Sequence, residues 1–393
     1  MIRTALTYLG FIVLLSVSSG NSLYAAGPII PAPPQISAES YLLLDATTGK
    51  VIVEKNSEQR LPPASLTKIM ASYVVANELK RGSISLDDMV PISVTAWRMG
   101  GSKMFIQEGT KVKLFDLVRG VVIQSGNDAT VALAEHIAGS EDSFADIMNQ
   151  QAERLGMTNT NFVNATGWPD ENHYTTASDL AKLTVALIND FPEHYELYKE
   201  KYFTYNDIRQ PNRNSLLWRD DSVDGVKTGH TEAAGYCLVA SALRDDMRLV
   251  SVVMKTDSQE ARARETRKLL TYGYRYYETV PLYAADESLK TVRLWGGSQD
   301  TVNLGVKDDV VITLPRGERE NLSAKMDINS VIRAPVDEGK ALGELTVTLE
   351  DEILFKGPLL SVHNVSEAGF FARLWDSIYL FFLQLFGGDA LAL

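Results

Sequence analysis

The sequence predicts an α+β fold: an antiparallel sheet flanked by helices together with a helical cluster, then a small all-β domain and an amphipathic C-terminal helix. Strand-like runs open and close the first 280 residues, and helical periodicity dominates between Ser65 and about Pro192. After Pro281, short alternating runs are separated by Gly, Asp and Pro turns. The final segment repeats large apolar residues every three or four positions, as an amphipathic helix does.

The first sheet is predicted from five runs rich in β-branched and apolar residues. They are a hairpin and three later strands, over residues 41–45, 51–54, 223–230, 235–242 and 248–254. A helix is predicted over 260–278. The all-β domain is predicted from the runs 291–295, 310–314 and 345–349, and we find no candidate catalytic residue in it.

Composition and the N-terminus limit the functional classes. Arg3, an apolar run over 6–15 and the small residues Ala25 and Ala26 predict a cleaved export signal over 1–26. The net charge of −12 argues against a nucleic-acid partner. The single cysteine, Cys237, excludes an internal disulfide and is expected to be a small core residue. None of the five histidines has metal-ligand spacing, so we predict no metal and no cofactor.

The first chemical motif is Ser65-Leu-Thr-Lys68, which follows two prolines and opens a helical pattern that stops at Gly82. Ser65 is therefore expected at or beside a helix N-terminus, with Lys68 one turn away on the same face. This pair suits a serine nucleophile activated by lysine, provided that the lysine is partly neutral. Desolvation or a second cation, for which Lys227 is the obvious candidate, could achieve this. Taken alone, the pattern favours a capping serine followed by a surface lysine.

The second motif is Ser125-Gly126-Asn127, expected on a turn between two buried helices. Ser125 could relay a proton to a leaving amine, while Asn127 could donate to a substrate carbonyl and accept from a lysine. An ordinary helix-to-helix turn would use the same residue types.

The third motif is Lys227-Thr228-Gly229, followed by His230, on a predicted strand. A strand of this kind suits a substrate that lies alongside it, with Lys227 and Thr228 meeting an anionic group such as a terminal carboxylate. The backbone N–H groups of Ser65 and His230 are expected to form an oxyanion hole. His230 itself is interpreted as a substrate contact, with proton acceptor as the alternative.

The ordered trio resembles the penicillin-binding protein and serine β-lactamase superfamily. The surrounding stretches 62–70, 124–129, 173–180 and 223–231 resemble the low-molecular-mass, or class C, D-alanyl-D-alanine carboxypeptidases. The similarity runs from about Ala38 to the C-terminus. It implies a transpeptidase-like catalytic domain in which Ser65 is acylated, Lys68 is the acylation base and Ser125 assists proton transfer.

The resemblance also implies the substrate-binding residues. Those residues are Asn127, Lys227, Thr228, Gly229, His230, Arg213 and Arg262. The two arginines match residues near the substrate carboxylate, with solvated surface arginines as the alternative. His173 and Asp179 look like supporting residues, although Asp179 could simply cap a helix over 180–188.

The predicted activity is removal of the terminal D-alanine from peptidoglycan stem pentapeptides through an acyl-enzyme, with β-lactam antibiotics acylating the same serine. One alternative is a class A-like β-lactamase, which needs a glutamate in an E-x-x-x-N string between the second and third motifs. The interval 167–173 contains no such string. Another alternative is a non-catalytic scaffold that binds peptidoglycan, but all the acylating groups are present.

The tail predicts membrane attachment. Phe371, Trp375, Ile378 and Phe382 lie on one stripe of a predicted helix over 370–386, which is at the lower limit for crossing a bilayer. A helix lying in the membrane surface is the preferred interpretation, on the periplasmic face of the inner membrane. A helix docked on the β domain or on a second copy of the chain is the alternative. The predicted organisation is signal 1–26, catalytic domain 27–280, β-rich domain 281–365 and anchoring tail 366–393.

Overall fold

A computed structural model describes residues 30–392, and the predicted export signal lies outside the described residues. The strands, numbered along the chain, are β1 (Ser40–Asp45), β2 (Val51–Lys55), β3 (Met89–Pro91), β4 (Lys111–Lys113), β5 (Tyr202–Tyr205), β6 (Ile208–Pro211), β7 (Val223–Thr231), β8 (Gly235–Arg244), β9 (Met247–Thr256), β10 (Tyr277–Tyr283), β11 (Lys290–Arg293), β12 (Thr301–Gly305), β13 (Val310–Pro315), β14 (Leu322–Ile328), β15 (Ala341–Leu349) and β16 (Glu352–Ser361). The α-helices are α1 (Lys68–Arg81), α2 (Val94–Arg98), α3 (Leu114–Arg119), α4 (Asn127–Ala138), α5 (Glu141–Arg154), α6 (Ala177–Asp190), α7 (Pro192–Tyr195), α8 (Gln259–Tyr276) and α9 (Phe370–Leu385).

The catalytic part is built on a five-stranded antiparallel sheet in the order β2-β1-β9-β8-β7. Its two faces bury different side chains, because successive residues of a strand point to opposite faces. Leu42 and Leu44 pack into the helical cluster, whereas Leu43 packs with Leu269 and Leu270 of α8 on the other face. Coverage on both faces explains why β8 and β9 are almost continuously apolar. The predicted sheet is confirmed, and β7 lies at its edge.

The helix boundaries follow from local chemistry. Helix α1 ends at Arg81, because the next residue, Gly82, adopts a left-handed conformation (φ +73°) that a glycine enters without strain. Helix α8 begins after Ser258, whose side chain accepts the N–H of Ala261, and it ends at Tyr276 because strand β10 begins there. The predicted end of α8 at Glu278 is therefore two residues too late.

The second motif differs from the prediction in its detail. Helix α3 continues into a π-helical turn, Gly120–Gln124, and α4 begins at Asn127. Asn127 is thus the first helical residue rather than part of a loop. The short hairpins β3–β4 and β5–β6 were not predicted, since runs of three or four residues carry little periodicity.

The C-terminal part is all-β, as predicted. A five-stranded sheet in the order β11-β12-β16-β15-β14 packs with the separate β10–β13 pair. The fully buried carboxylate of Asp45 on β1 joins the two parts, because it accepts hydrogen bonds from Thr313 Oγ1 (2.7 Å) and from Thr279 Oγ1.

Helix α9 lies against this β domain on one side only. Leu380 is buried with Trp295 and Ala390, and the Asp376 carboxylate accepts the N–H of Gly296 at 2.8 Å. The other side exposes ten large side chains: Phe370, Phe371, Leu374, Trp375, Ile378, Tyr379, Phe381, Phe382, Leu385 and Phe386. The predicted helix is confirmed, and the alternative of docking on the β domain holds for the side opposite the exposed stripe. Within residues 30–392 no helix has the length and apolarity needed to cross a bilayer.

Candidate active site

The first motif forms the centre of the site. Ser65 lies in a 3-10 helix, Ala64–Thr67, that leads directly into α1, and its side chain is half-buried. Lys68, the first residue of α1, is 1% exposed. Its Nζ lies 3.1 Å from Ser65 Oγ, which is hydrogen-bonding distance. A capping serine with a surface lysine is therefore excluded as an interpretation.

Two further acceptors surround the Lys68 amine. Nζ lies 2.7 Å from Asn127 Oδ1 and 2.6 Å from the carbonyl oxygen of Thr166. The orientation of the Asn127 amide is set by its other end, because Nδ2 donates to the carbonyl of Gly100 at 2.8 Å. Oδ1 must then face Lys68.

This arrangement determines where a neutral Lys68 would point its lone pair. A neutral amine has two N–H donors and one lone pair, and both the Asn127 oxygen and the Thr166 carbonyl can only accept. They take the two N–H bonds. The lone pair is left facing the Ser65 hydroxyl, which is the geometry that proton removal from Ser65 requires.

Burial makes the neutral form accessible. Desolvation lowers the pKa of Lys68 from 10.5 to about 7, and the charges of Glu141 and Asp128 partly oppose it. Of the two causes considered for neutralising Lys68, desolvation therefore dominates. Repulsion between the two lysines acts mainly on Lys227, whose pKa is held well below its usual value by burial, then by Lys68 and by Arg213 and Arg262.

Ser125 connects the second and third motifs. It follows the π-helical turn in a left-handed conformation (φ +66°), which is uncommon for a residue other than glycine and is characteristic of functional sites. Its Oγ accepts a hydrogen bond from Lys227 Nζ at 2.8 Å, and the same Nζ atom lies 3.2 Å from the Thr228 carbonyl oxygen. All three motifs therefore meet at two lysines and two serines.

Strand β7 approaches the nucleophile segment closely. A Cβ atom at Gly229 would lie 2.8 Å from the carbonyl oxygen of Pro63 and 3.3 Å from Cβ of Ala64. Only glycine allows this approach between the strand edge and the turn that carries Ser65. Lys227 and Thr228 are buried beside it, whereas His230 is exposed and stacks on Tyr236 with 3.9 Å between ring centroids.

The two predicted arginines occupy different environments. Arg262 on α8 is buried, and its Nη1 donates to the carbonyl of Gly229 at 3.1 Å. Arg262 is therefore not a solvated surface residue, and its hydrogen bond is made to the backbone of strand β7. Arg213 is exposed beside the site, and both guanidinium groups lower the pKa of Lys227.

The supporting residues have separate roles. His173 Nδ1 accepts the N–H of Val163 at 3.2 Å, so Nε2 carries the proton and donates to Thr67 Oγ1 at 2.8 Å; that hydroxyl in turn donates to the Ala64 carbonyl. His173 thus braces the turn around Ser65. Burial lowers the pKa of His173 to about 4, which keeps it neutral.

Asp179 is not a helix cap. The cap of α6 is Thr176, whose hydroxyl accepts the N–H of Asp179, so the capping interpretation is wrong. The buried Asp179 carboxylate instead accepts from the N–H of Asn159 (3.0 Å) and from Thr160 Oγ1 (2.8 Å). Asp179 therefore fastens the segment that contains Asn159 and Thr160 to helix α6.

Two contributors to the site were not predicted. The carboxylate of Asp128 is fully buried and accepts the backbone N–H groups of Met104 and Phe105 at 2.8 and 2.9 Å. Asp128 thereby holds the loop that carries Gly100 against helix α4. The one sequence feature that could have indicated this role is its position directly after Asn127. The Thr166 carbonyl is a backbone group outside every motif, and no sequence pattern would have identified it.

Comparison with known proteins agrees with this geometry. A family model described as D-alanyl-D-alanine carboxypeptidase matches residues 28–258, and one described as penicillin-binding protein 5, C-terminal domain, matches 277–367. The chain is 45% identical to the D-alanyl-D-alanine carboxypeptidase DacC of Escherichia coli, over 93% of each chain. The chain belongs to the D-alanyl-D-alanine carboxypeptidase family.

Solved structures extend the likeness. The crystal structure of penicillin binding protein 5 from Haemophilus influenzae is 42% identical with a TM-score of 0.82, covering 86% of this chain and all of that one. Penicillin-binding protein D2 of Listeria monocytogenes, solved in its ampicillin-bound form, is 28% identical with a TM-score of 0.58, covering 62% of this chain and all of that one. The protein is thus a serine D-alanyl-D-alanine carboxypeptidase and a penicillin-binding protein, and the predicted activity is confirmed over the β-lactamase and scaffold alternatives.

The geometry around Asn127 yields a prediction for Asn127→Asp. A carboxylate near Nζ should raise the pKa of Lys68 by about 1–3 units. With Lys68 as the base in its neutral form, as the resemblance implies, acylation by penicillin at pH 7 should fall about fivefold or more, and its rising limb should move to higher pH. Stopped-flow acylation rates from pH 5 to 10 measure this.

The matched control is Gln107→Glu, which adds the same charge at an exposed position. It should leave the acylation profile unchanged. An equal loss of rate at every pH in Asn127→Asp, with the midpoint unmoved, would contradict the electrostatic role of this residue.

Proposed function

We propose that Ser65 is the nucleophile and Lys68 the base of this carboxypeptidase. The neutral Lys68 amine takes the Ser65 proton while Oγ attacks the carbonyl of the penultimate D-alanine. The single observation that carries this assignment is the 3.1 Å contact from Nζ to Ser65 Oγ, with both other Nζ partners restricted to accepting. These partners orient the lone pair before substrate binds, so less reorganisation is needed during the reaction.

Ser125 is proposed to pass a proton to the leaving amine. The amide C–N bond breaks as the tetrahedral intermediate collapses, and the departing nitrogen must gain a proton. The Ser125 hydroxyl accepts from Lys227 at 2.8 Å, so it can donate its own proton to a group in the cleft and be resupplied from the lysine. Water then hydrolyses the Ser65 ester and releases the shortened peptide.

The backbone N–H groups of Ser65 and His230 are proposed to bind the oxyanion. The support is the close approach of β7 to the Ser65 turn, for which Gly229 is needed. Donors of this kind each contribute about 3–4 kcal/mol to transition-state stabilisation. Their position on a sheet strand and a 3-10 turn, both rigidly packed, keeps them aligned.

The terminal carboxylate of the substrate is proposed to lie against Lys227, Thr228 and Arg213. The first two are buried at the edge strand, and Arg213 is the exposed guanidinium beside them. Arg262 acts as a positioning residue, because its Nη1 holds the Gly229 carbonyl. Penicillin presents a carboxylate and a strained amide with similar spacing, which explains acylation of the same serine.

The assignment predicts one penicillin adduct per chain, located on Ser65. Tryptic mass spectrometry should find the adduct on the peptide containing this serine, and Ser65→Ala should take up none. The same variant should release D-alanine from a pentapeptide at least about a thousandfold more slowly, because the nucleophile is lost. An adduct on another residue, or D-alanine release by Ser65→Ala near the normal rate, would refute the assignment.

We also propose the domain boundaries and location expected from the sequence: an export signal over 1–26, a catalytic domain over 27–280, a β-rich domain over 281–365 and an attachment tail over 366–393. The exposed aromatic stripe of α9 supports attachment to the periplasmic face of the inner membrane. Transfer of each large apolar side chain from water contributes about 1.5–3 kcal/mol. The contacts of Asp376 and Leu380 with the β domain would fix the catalytic domain relative to the bilayer.

Membrane attachment predicts the behaviour of Phe371→Ser/Trp375→Ser. Two of the most exposed side chains of the stripe, 83% and 71%, are replaced without touching Leu380. Binding to liposomes of mixed zwitterionic and anionic lipids, measured by cosedimentation, should weaken at least about tenfold. Ile353→Ser, at a 58% exposed position of the β domain, is the control and should bind normally.

Covering of the stripe by a second copy of the chain would give a different result. Sedimentation without lipid would then show a dimer that the double variant converts to a monomer, with liposome binding unchanged. That outcome would overturn the membrane proposal in favour of a homodimer.

A further inference from the structure

The outer face of helix α8 carries a row of basic side chains that the catalytic mechanism does not use. Beyond the buried Arg262, every charged side chain of α8 that reaches the solvent is basic: Arg264, Arg267, Lys268 and Arg275. The row extends over about 17 Å of the helix axis, at about 1.5 Å per residue. A solvated helix face usually alternates charges of both signs. This face has one sign, and it is opposite to the net charge of −12.

One carboxylate lies within the row, and a ligand cannot reach it. The Glu265 side chain has no exposed surface, and its two oxygens accept from Arg264 Nε and Lys268 Nζ, both at 2.8 Å. Among residues 30–392, no carboxylate lies within ion-pair distance of Arg267 or Arg275. The row therefore keeps an excess of positive charge for an anionic ligand.

The N-terminal segment 31–37 forms a second wall beside the row. The Tyr272 hydroxyl donates to the carbonyl of Pro31 at 3.0 Å, and the N–H of Ser37 donates to Glu265 at 3.2 Å. The segment contains three prolines and no charged residue. It is therefore stiff, and it does not compete with a ligand for the basic side chains.

A groove of about 430 Å3 lies between these two walls, lined by segment 31–34 and by α8. Ligand sites usually enclose about 300–1,000 Å3. Arg267, Thr271 and Arg275 follow one another at intervals of four residues, so they share one face of the helix and line the groove together. Because the groove is concave, it suits an extended chain better than the flat surface of a bilayer.

Helix α8 connects the groove to the active site. Arg262, near its start, donates to the carbonyl of Gly229 on the strand that borders Ser65. Arg264, the first residue of the row, is two positions further along the helix. The 18 residues of α8 span about 27 Å. A polymer held at Ser65 therefore needs to extend on the order of 30 Å to reach the far end of the row.

We propose that this groove is a second binding site for peptidoglycan, separate from the cleft, that takes the carboxylates of neighbouring stem peptides on the same strand. Stem peptides bear free carboxylates, so a strand with several stems is a linear polyanion. The guanidinium groups of Arg267 and Arg275 bind carboxylates through paired N–H donors, and the Thr271 hydroxyl lies between them.

The second contact would favour long strands over free peptides. A strand held in the groove presents its other stems to Ser65 at a high effective concentration. The inference rests on the proposed function, because this advantage arises only if Ser65 acts on the same strand.

The first test measures cosedimentation of the full-length protein with purified, lipid-free peptidoglycan. The Ser65→Ala variant serves as the parent, so that the polymer stays intact. Adding Arg267→Glu/Arg275→Glu should weaken binding at least about fivefold, and Arg267→Gln/Arg275→Gln should cause a smaller loss. Raising NaCl from about 50 to about 500 mM should weaken binding of the parent towards that of the variants, since salt screens exposed charges.

The matched control is Lys290→Glu/Lys307→Glu. It makes the same change in net charge at two exposed positions of the β domain. It should bind peptidoglycan like the parent.

The second test uses enzyme with Ser65 intact and compares D-alanine release from two substrates. These are glycan strands that bear pentapeptide stems and the free pentapeptide, which is too short to occupy both sites. Arg267→Glu/Arg275→Glu should lower the ratio of kcat/KM for strands to kcat/KM for the pentapeptide at least about fivefold. Normal penicillin labelling of the variant shows that it is folded.

An unchanged affinity for peptidoglycan after charge reversal would overturn the inference, and so would an equal loss in the β-domain control. Loss of binding to liposomes of anionic lipid, with peptidoglycan binding retained, would assign the groove to a lipid surface and likewise overturn it. Absence of penicillin labelling on Ser65 in the wild-type enzyme would overturn the proposed function instead. The sedimentation result does not depend on Ser65, so the two failures can be distinguished.

Discussion

The active site depends on the burial of one amine whose two partners other than Ser65 can only accept hydrogen bonds. Lys68 is enclosed at the start of α1, and burial brings its pKa to about 7. The carbonyl of Thr166 and the amide oxygen of Asn127 occupy its N–H bonds and direct the lone pair at Ser65. The proposed role of Lys68 as the base needs both conditions, because a neutral amine in another orientation, or an ammonium in this one, could not take the proton.

Much of the surrounding structure serves to hold these partners in place. Asp128 ties down the loop that supplies the Gly100 carbonyl, and that carbonyl sets the orientation of the Asn127 amide. His173 braces the Ser65 turn through Thr67. At Gly167, which has a φ of +82°, a Cβ atom would lie 1.8 Å from the Ala64 carbonyl, so this loop packs directly on the same turn. These contacts come from separate parts of the chain, and their common effect is to hold the buried Lys68 amine in one position.

The sequence predicted the elements with strong local signals. The continuous apolar strands, the glycine stop at Gly82 and the stripe of α9 carry their periodicity in themselves. The ordered motifs predicted which side chains would meet at the site. Elements of three or four residues, and the continuation of α8 directly into β10, lacked such a signal. The Thr166 carbonyl reaches the site through tertiary packing, which no local pattern encodes. The role of Asp179 was ambiguous because a buried anchor and a helix cap use the same residue type.

The most direct test of the account is the ionisation of Lys68 itself. NMR titration of the enzyme with isotope-labelled lysine side chains, with the Lys68 signal assigned by its loss in Lys68→Arg, reports this pKa without any reaction. The account predicts a midpoint near 7 in the free enzyme. A Lys68 signal that stays protonated up to its ordinary value near 10.5 would contradict it.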